Sequence, residues 1–529
     1  MGTHSAFGEA LLITPKGGGL FMSDTSPPST LSADTTHPNT GLLHVRNITV
    51  KRAALFALLL IWFSIGAWRG LTIDEYTTWQ NTRKDIADLI ENRLRAGHLP
   101  TYFVIESLWV RLAGDDEMSL RVPSMLLVTT GAMFLFFFLN NVFCRHLARL
   151  TLLFFVLNQV VVWCAQNARP YSGLICSSAL GIWALERWYS RRRLGYLGLL
   201  FFSVALGMSF YAAFAFTVVA WICAILISRH QTDKRVKWAA AGAVLLPAII
   251  MAVPVVLLAE KQEKFAFEGN ATFDLRRPFN LLARTVFGDY KLWALGGMRY
   301  LALILFAAAM YGVYRWHGEH SPTEKKSVPC ASVSFFSIWF IVPVVGLWIA
   351  EIITRANILS HPRYFVHILI PSAILVALGA DYLQRQLFAR LRHRLIGIIP
   401  IIMLGGFSAA NTLAWFRTNG DGPHVVAPAI LAIAPPVSVV LGNTHPLEYE
   451  WRNSHHPELL PLYPRDTSEV VRSVAELTSG TERFCLFIYN NKLTALDQFA
   501  EMAPNFQLNS LSKFQFGDAR AHVYQRLGE

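Results

Sequence analysis

The chain has 529 residues, of which 53% are hydrophobic and only 16% charged, with a formal net charge of +12. An average soluble domain carries about 25% charged residues. With 36 Phe and 15 Trp and a mean hydropathy of +0.37, the composition excludes a disordered protein, a coiled coil and an ordinary cytosolic enzyme, and fits a multi-pass membrane protein. The positive charge does not point to nucleic acid, because Lys and Arg stand in short clusters between apolar runs rather than on one binding stretch. The six cysteines show no CxxC pair and no metal-ligand spacing, so neither a disulfide framework nor a zinc site is indicated.

Residues 1–50 are rich in Ser, Thr, Pro and Gly and are expected to form a disordered cytoplasmic tail, with Met22 as an alternative start. Apolar runs then predict eleven transmembrane helices, near 52–70, 122–141, 147–166, 171–189, 194–210, 211–228, 238–259, 299–315, 333–353, 364–380 and 395–416. The stretch 194–228 is too long for one span of about 20 residues and just enough for two short ones. With the N-terminus placed inside, the inner connections hold seventeen Lys and Arg against five acidic residues, whereas the short outer ones hold only Arg169, Arg355 and Arg363. The positive-inside rule favours that orientation, and an odd number of spans then puts the C-terminus outside.

Two outer connections are long, 71–121 and 260–298. In the first, Ile86, Leu89, Ile90 and Leu94 recur at helical spacing among charged residues, which predicts an amphipathic helix lying in the membrane–water interface. The second carries Lys261, Lys264, Arg276, Arg277, Arg284 and Lys291, a basic set suited to anions. From residue 417 the apolar spans stop. Val437–Leu441 and Phe484–Tyr489 read as strands and 467–478 as a helix, so 417–529 is expected to be a small extracytoplasmic α/β domain.

The residues with chemical potential gather on the outer side. Asp74 and Glu75 follow the first span. An acidic pair there suits a solvated helix end, or supplies a carboxylate as general base on an acceptor hydroxyl or amine. His98, Pro100 and Tyr102 mark either a simple helix boundary or a loop that folds back towards Asp74. Arg121, beside Pro123 in a first helical turn, reads as an interface anchor. Arg169-Pro170-Tyr171 and Pro362-Arg363-Tyr364 each place an arginine outward, against the charge bias. Each arginine either snorkels to headgroups or binds a phosphate through its guanidinium fork. Two such corners on the face carrying Asp74 suit the phosphate of a lipid-linked substrate. Glu351 and Arg355 read as an i,i+4 pair, and His445, His455 and His456 as surface histidines.

The order Asp74-Glu75, amphipathic segment, His98-x-Pro100-x-Tyr102, Ser119-Leu120-Arg121-Val122-Pro123-Ser124, Ala168-Arg169-Pro170-Tyr171-Ser172 and late Pro362-Arg363-Tyr364 resembles the GT-C membrane glycosyltransferases. Within them it is most similar to the group of protein O-mannosyltransferases, lipid A aminoarabinose transferases and rhizobial galacturonosyltransferases. The resemblance covers about residues 51–416. It implies an α-helical polytopic enzyme of the GT-C type in a bacterial inner membrane, inverting a sugar from a polyprenyl-phosphate donor onto a lipid, polysaccharide or protein acceptor on the periplasmic face. By the same resemblance Asp74 takes the catalytic acid position and His98 and Tyr102 match a loop motif, and Glu75, His98 and Tyr102 are candidate supporting residues. Arg169 and Arg363 match positions expected near the donor phosphate, with Tyr171 and Tyr364 beside them as further candidates for binding it. Leu99 stands before Pro100 where the family has a double Pro. No cofactor is expected and no metal ligand cluster is evident, although the resemblance leaves a divalent metal open. The competing expectation is a transporter or lipid flippase, which calls for ionisable residues inside spans and internal symmetry around a midplane site.

Overall fold

The computed structural model describes residues 39–96, 98–227, 233–261, 276–288, 298–319, 332–354, 362–391, 399–416, 423–432, 439–442, 445–452, 455, 457–461, 483–489, 506–516 and 519–526. Expectations for residues 1–38, for most of the connection 260–298, for Arg355 and His456, and for 467–478 lie outside the described residues. Helix α1 spans Asn39–Ser64. Contacts divide the chain within it, into residues 1–53 and 54–529. All the other described elements belong to the second unit.

The first long connection contains three helices rather than the single one expected, α2 (Ile73–Thr82), α3 (Ile86–Arg95) and α4 (Thr101–Ala113). Thr72 caps α2 with its side chain, and Asp85 and Pro100 stand at the starts of α3 and α4. Gly114 ends α4 at φ +92°, a conformation glycine adopts without a Cβ penalty. On α3 the predicted apolar stripe is present, but its buried positions are Leu89 and Arg93, one turn apart.

Helix α5 (Glu117–Val142) begins at Asp116, whose carboxylate accepts from the Met118 and Ser119 N–H groups at 3.0 Å each. The next apolar run is broken. Helices α6 (Arg145–Leu157) and α7 (Gln159–Ala165) meet at 65° around Asn158. Asn158 Oδ1 caps α7 by accepting from Val160 N (2.8 Å), and its Nδ2 donates to the Thr285 and Val286 carbonyls at 2.9 and 2.8 Å. The freed Leu157 carbonyl accepts from Ser408 Oγ (3.0 Å) and Thr412 Oγ1 (2.6 Å). A broken helix is tolerated in an apolar setting when neighbouring elements satisfy its backbone in this way.

Helix α8 covers Tyr171–Arg191, and the long run that follows divides into α9 (Leu194–Phe210) and α10 (Phe214–Ile227), with the break at Tyr211. Then come α11 (Lys234–Lys261), α12 (Arg276–Phe287), α13 (Met298–Glu319), α14 (Val333–Thr354), a 3-10 helix (Pro362–Ile368), α15 (Leu369–Leu391) and α16 (Ile399–Phe416). Each of the eleven apolar runs overlaps a helix. Among the described residues, four stretches are long and apolar enough to cross a membrane, Glu117–Val142, Lys234–Val253, Val333–Ile353 and Pro362–Gln386. The bent α6–α7 pair makes a fifth candidate, and α9, α10 and α16 are shorter apolar pieces. The helices pack through small residues where their backbones meet. A Cβ on Gly379 of α15 would stand 2.1 Å from the Ala309 carbonyl oxygen of α13.

The C-terminal part adds α17 (Pro423–Leu431), β1 (Val439–Gly442), α18 (His445–Glu450), β2 (Glu458–Pro461), β3 (Arg483–Tyr489), β4 (Phe506–Phe516) and β5 (Ala519–Arg526). Its five strands run in the order β2-β1-β3-β5-β4. β1 is parallel to β2 and β3, while β5 is antiparallel to β3 and β4. This part shares a core with the first long connection, since Val440, Cys485, Phe487 and Val523 cluster with Trp451, Tyr449, Leu71, Tyr76 and Trp79. Tyr76 Oη donates to Glu450 at 2.7 Å, and the Trp79 and Tyr449 rings meet edge to face at 5.1 Å. The sheet and α18 thereby brace α2 from behind.

Candidate active site

Thr72-Ile73-Asp74-Glu75 forms a capping box. Glu75 N donates to Thr72 Oγ1 at 3.4 Å, and Thr72 N donates back to Glu75 Oε2 at 2.9 Å. Asp74 therefore sits in the first turn of α2, where the helix dipole favours a negative charge. Glu75 turns inward. Its Oε1 accepts from Arg121 Nε (2.7 Å) and Ala168 N (3.2 Å), and its Oε2 also accepts from Arg121 Nη2 (2.7 Å). Arg121 spends its remaining N–H groups on the carbonyls of Ala67, Arg69 and Gly70, at 2.6, 2.6 and 3.1 Å. The expectation that Arg121 is an interface anchor is thus corrected. It is a fully buried fastener, because a carboxylate and three carbonyls match its rigid fork of donors. Burial favours the neutral form of Glu75, but Arg121 and Arg69 outweigh it and hold the carboxyl below its usual range.

The corner after α7 is fixed just as tightly. Arg69 donates to the side-chain and backbone oxygens of Gln166 at 2.8 and 3.0 Å. Gln166 Nε2 donates to the Phe63 and Ile65 carbonyls, and Trp415 Nε1 donates to Gln166 Oε1 at 3.0 Å. Thr78 Oγ1 binds the Ala168 carbonyl at 3.0 Å. This scaffold aims Arg169, whose Nη2 donates to Asp74 Oδ1 at 2.7 Å. From the other side, Arg363 in the 3-10 helix donates through Nη1 to Asp74 Oδ2, also at 2.7 Å. Asp74 keeps 25% of its side-chain exposure. Burial alone would raise its carboxyl, yet the two guanidinium groups hold it below the ordinary carboxylate range.

An aromatic wall adjoins this pair. Arg363 lies over the Tyr364 ring at 5.4 Å. Tyr364 stacks on Tyr211 at 6.4 Å, Tyr211 meets Tyr171 edge-on at 6.0 Å, and Tyr171 lies 5.5 Å from Trp163. The sequence reading named Tyr171 and Tyr364 but missed Tyr211 and Trp163. The available signal for Tyr211 was its position at the break of an overlong apolar run.

His98 is drawn to the same place, 6.2 Å from the Phe103 ring. Burial, and after it the charges of Arg169 and Arg93, lower its pKa to about 4, so the imidazole is neutral at pH 7. Tyr102 stands deeper. Its Oη shares a hydrogen bond with Ser124 Oγ (2.7 Å), and Ser172 Oγ lies 3.1 Å from Ser124 Oγ and 3.2 Å from the Arg169 carbonyl. Burial, with Glu106 nearby, raises the Tyr102 phenol well above its ordinary value, which makes it a neutral support. The structure thus unites Asp74, His98, Arg169 and Arg363, sets Tyr171 and Tyr364 beside them, and places Glu75 and Tyr102 behind. Among the described residues no three His, Cys, Asp or Glu side chains form a group able to hold a metal.

Solved structures share this fold. The crystal structure of ArnT from Cupriavidus metallidurans bound to undecaprenyl phosphate is similar at a TM-score of 0.57 and 13% identity, over 90% of this chain and 98% of that one. The apo state of the same enzyme gives 0.55 at 14% identity, over 92% and 98%. In sequence, the family described as dolichyl-phosphate-mannose-protein mannosyltransferase matches residues 97–257. That segment includes His98, Tyr102, Arg121, Arg169 and Tyr171, but neither Asp74 nor Arg363. No curated protein matches the chain in sequence.

Proposed function

We propose that the protein is an inverting glycosyltransferase that moves a sugar from a polyprenyl-phosphate donor to a lipid, polysaccharide or protein acceptor. In this reading it works at the outer face of a bacterial inner membrane, with residues 1–50 cytoplasmic and 417–529 periplasmic. One observation carries it. A single partly exposed carboxylate, Asp74, is gripped by two arginines that reach it from distant parts of the chain at 2.7 Å each. Each guanidinium spends one N–H direction on Asp74, and the rest of its fork suits phosphate oxygens. The donor class is further supported by the undecaprenyl phosphate held in the similar ArnT structure.

The chemistry follows from the charges. The acceptor oxygen or nitrogen attacks the anomeric carbon on the side opposite the phosphate. The bond from that carbon to the phosphate oxygen breaks, its electron pair stays on the phosphate, and the anomeric centre inverts. The acceptor proton passes to Asp74. A carboxylate of low basicity serves here, because the acceptor becomes strongly acidic only as its new bond forms. Arg169 and Arg363 keep Asp74 ionised and stabilise the departing phosphate, a preorganised electrostatic task. Tyr171, Tyr211 and Tyr364 offer faces for the sugar ring. No step of this scheme calls on a cofactor.

The test is turnover of a panel of polyprenyl-phosphate sugars by purified protein, with membrane extract as acceptor, following free polyprenyl phosphate. Release by the wild type and not by Asp74→Asn supports the reading. Release from no donor by folded protein overturns it in favour of transport or binding.

A further inference from the structure

Arg93 is buried on the inner face of α3, with 7% of its surface exposed. Its guanidinium carbon lies 5.1 Å from the centroid of the Phe103 ring, and that of Arg169 lies 5.9 Å from the same centroid. His98 flanks this ring too, and its backbone N–H donates to the Arg93 carbonyl at 2.8 Å. Phe103 thus gathers Arg93, Arg169 and His98 into one cluster with Asp74. Arg93 pairs with no carboxylate among the described residues, and its Nε has no hydrogen-bond partner there. The Nε atoms of Arg169 and Arg363 are likewise buried without a partner among the described residues. Burial, together with the charge of Arg169, lowers the Arg93 pKa to about 10, so the group remains charged at pH 7.

Buried charges are normally paired. Here Glu75 is fully engaged by Arg121, and Asp74 is one negative charge between Arg169 and Arg363. Burial raises the carboxyl of Glu106, the acid of α4, well above its ordinary range and so favours its neutral form. Among the described residues, Arg169 and Arg363 share the one carboxylate of Asp74, and Arg93, held beside Arg169 on the Phe103 ring, adds a further positive charge with no carboxylate of its own. A sugar phosphodiester carries one negative charge. The polyprenyl phosphate that leaves is a phosphate monoester, which carries a second charge once its second ionisation, near pH 6, has occurred.

We infer that Arg93 is a third anion-binding guanidinium of this site, and that it takes the second negative charge that appears on the lipid phosphate as the sugar departs. This rests on the glycosyltransferase reading and adds to it where the product charge is received. It makes Arg93 more important for the departing group than for the donor.

Undecaprenyl phosphate binding to the full-length protein in detergent tests this without turnover. It would be titrated between pH 5 and 8.5, by tryptophan fluorescence, for the wild type, Arg93→Gln and Arg93→Lys, with the thermal midpoint of each protein checked in parallel. The wild type is expected to bind more tightly as the phosphate gains its second charge. Arg93→Gln should lose that gain and bind about tenfold more weakly at pH 8, the worth of a charged hydrogen bond, yet bind like the wild type at pH 5. Arg93→Lys should retain most of the gain. Because an unpaired buried cation costs stability, the midpoint of Arg93→Gln without lipid should not fall. Wild-type-like binding by Arg93→Gln at pH 8, or weakening equal at pH 5 and pH 8, overturns the role of Arg93 while leaving the donor class intact. Failure of the wild type to bind the lipid at any pH removes the donor reading and the Arg93 role together.

Discussion

Arg121, in the first turns of α5, holds both oxygens of Glu75, from the first turn of α2, and neither side chain is exposed at all. The same glutamate closes the capping box and anchors the backbone at Ala168. The pair therefore decides where Asp74 and Arg169 meet without touching what they bind. Removing one member of a buried pair leaves an uncompensated charge, at about 3–5 kcal/mol. Glu75→Gln is expected to lower the thermal midpoint in detergent and the yield of monodisperse protein. Glu75→Leu combined with Arg121→Met should recover part of the midpoint, since neither member of the pair is left as an uncompensated charge. A Glu75→Gln protein as stable as the wild type but inactive would give Glu75 a chemical role instead.

A second prediction concerns the bundle itself. Gly379 of α15 faces backbone of α13, where an added Cβ would lie 2.1 Å from the Ala309 carbonyl oxygen, and a Cβ on Gly312 would lie 2.7 Å from the Gly379 carbonyl oxygen. Backbone atoms do not yield as a flexible side chain does, so Gly379→Ala must separate the helices. Overpacking of this kind costs about 1–3 kcal/mol. Gly242, by contrast, has no atom within 4 Å of an added Cβ. Gly379→Ala should lower the thermal midpoint clearly, whereas Gly242→Ala should leave it unchanged or raise it slightly, as Ala is the better helix former.

The apolar runs were legible as helices, since every run overlaps one, although among the described residues four stretches, or five with the bent pair, are long and apolar enough to cross a membrane. The break at Asn158 was not legible, because its cost is met by Ser408, Thr412 and backbone of α12, all distant in sequence. The capping box at Thr72 and Glu75 is written in the sequence and fixes the start of α2. What Glu75 does is not written there, since it depends on Arg121 arriving 46 residues later. Arg169 and Arg363 stood out as exceptions to the expected charge bias, whereas Asp74, an ordinary acid at a span end, was singled out by the family resemblance. Their mutual contact belongs to the fold. Arg93 hid in plain view, a basic residue one turn after Leu89 on the apolar face of α3. An amphipathic pattern absorbs one such exception without signalling that it is functional.

The neutral His98 predicts an acid sensitivity of the fold. Its pKa in the folded chain is about 4, against 6.5 for the free side chain. The unfolded chain therefore binds more protons between these values, and stability is lost as pH falls from about 6.5 towards 4. Burial, Arg169 and Arg93 all oppose the imidazolium, and only Asp74 favours it. His98→Gln should flatten the dependence of the thermal midpoint on pH in that window and leave it unchanged above pH 7. Parallel curves for the two proteins would show that His98 is already protonated, or freely solvated, in the folded state.

The depressed Asp74 makes the opposite kind of prediction, about activity. Arg169 and Arg363 hold the carboxyl below its usual value of 3.8, so the base is ionised through the whole working range. The acid limb of kcat/KM is then expected to carry no contribution from Asp74 above pH 4. Replacing Arg169 with Gln removes the largest of the influences that lower Asp74, while burial, which raises it, remains. In that variant a new acid limb should appear at higher pH, in addition to weaker use of the donor. Asp74→Asn should keep the wild-type elution profile and lose activity by about 10²–10⁴-fold, the usual worth of a general base. If Arg169→Gln lowers kcat/KM equally at every pH, Arg169 serves the donor alone. If Asp74→Asn retains full activity, the proton leaves by another route and the carboxylate is only the counter-charge of the two arginines.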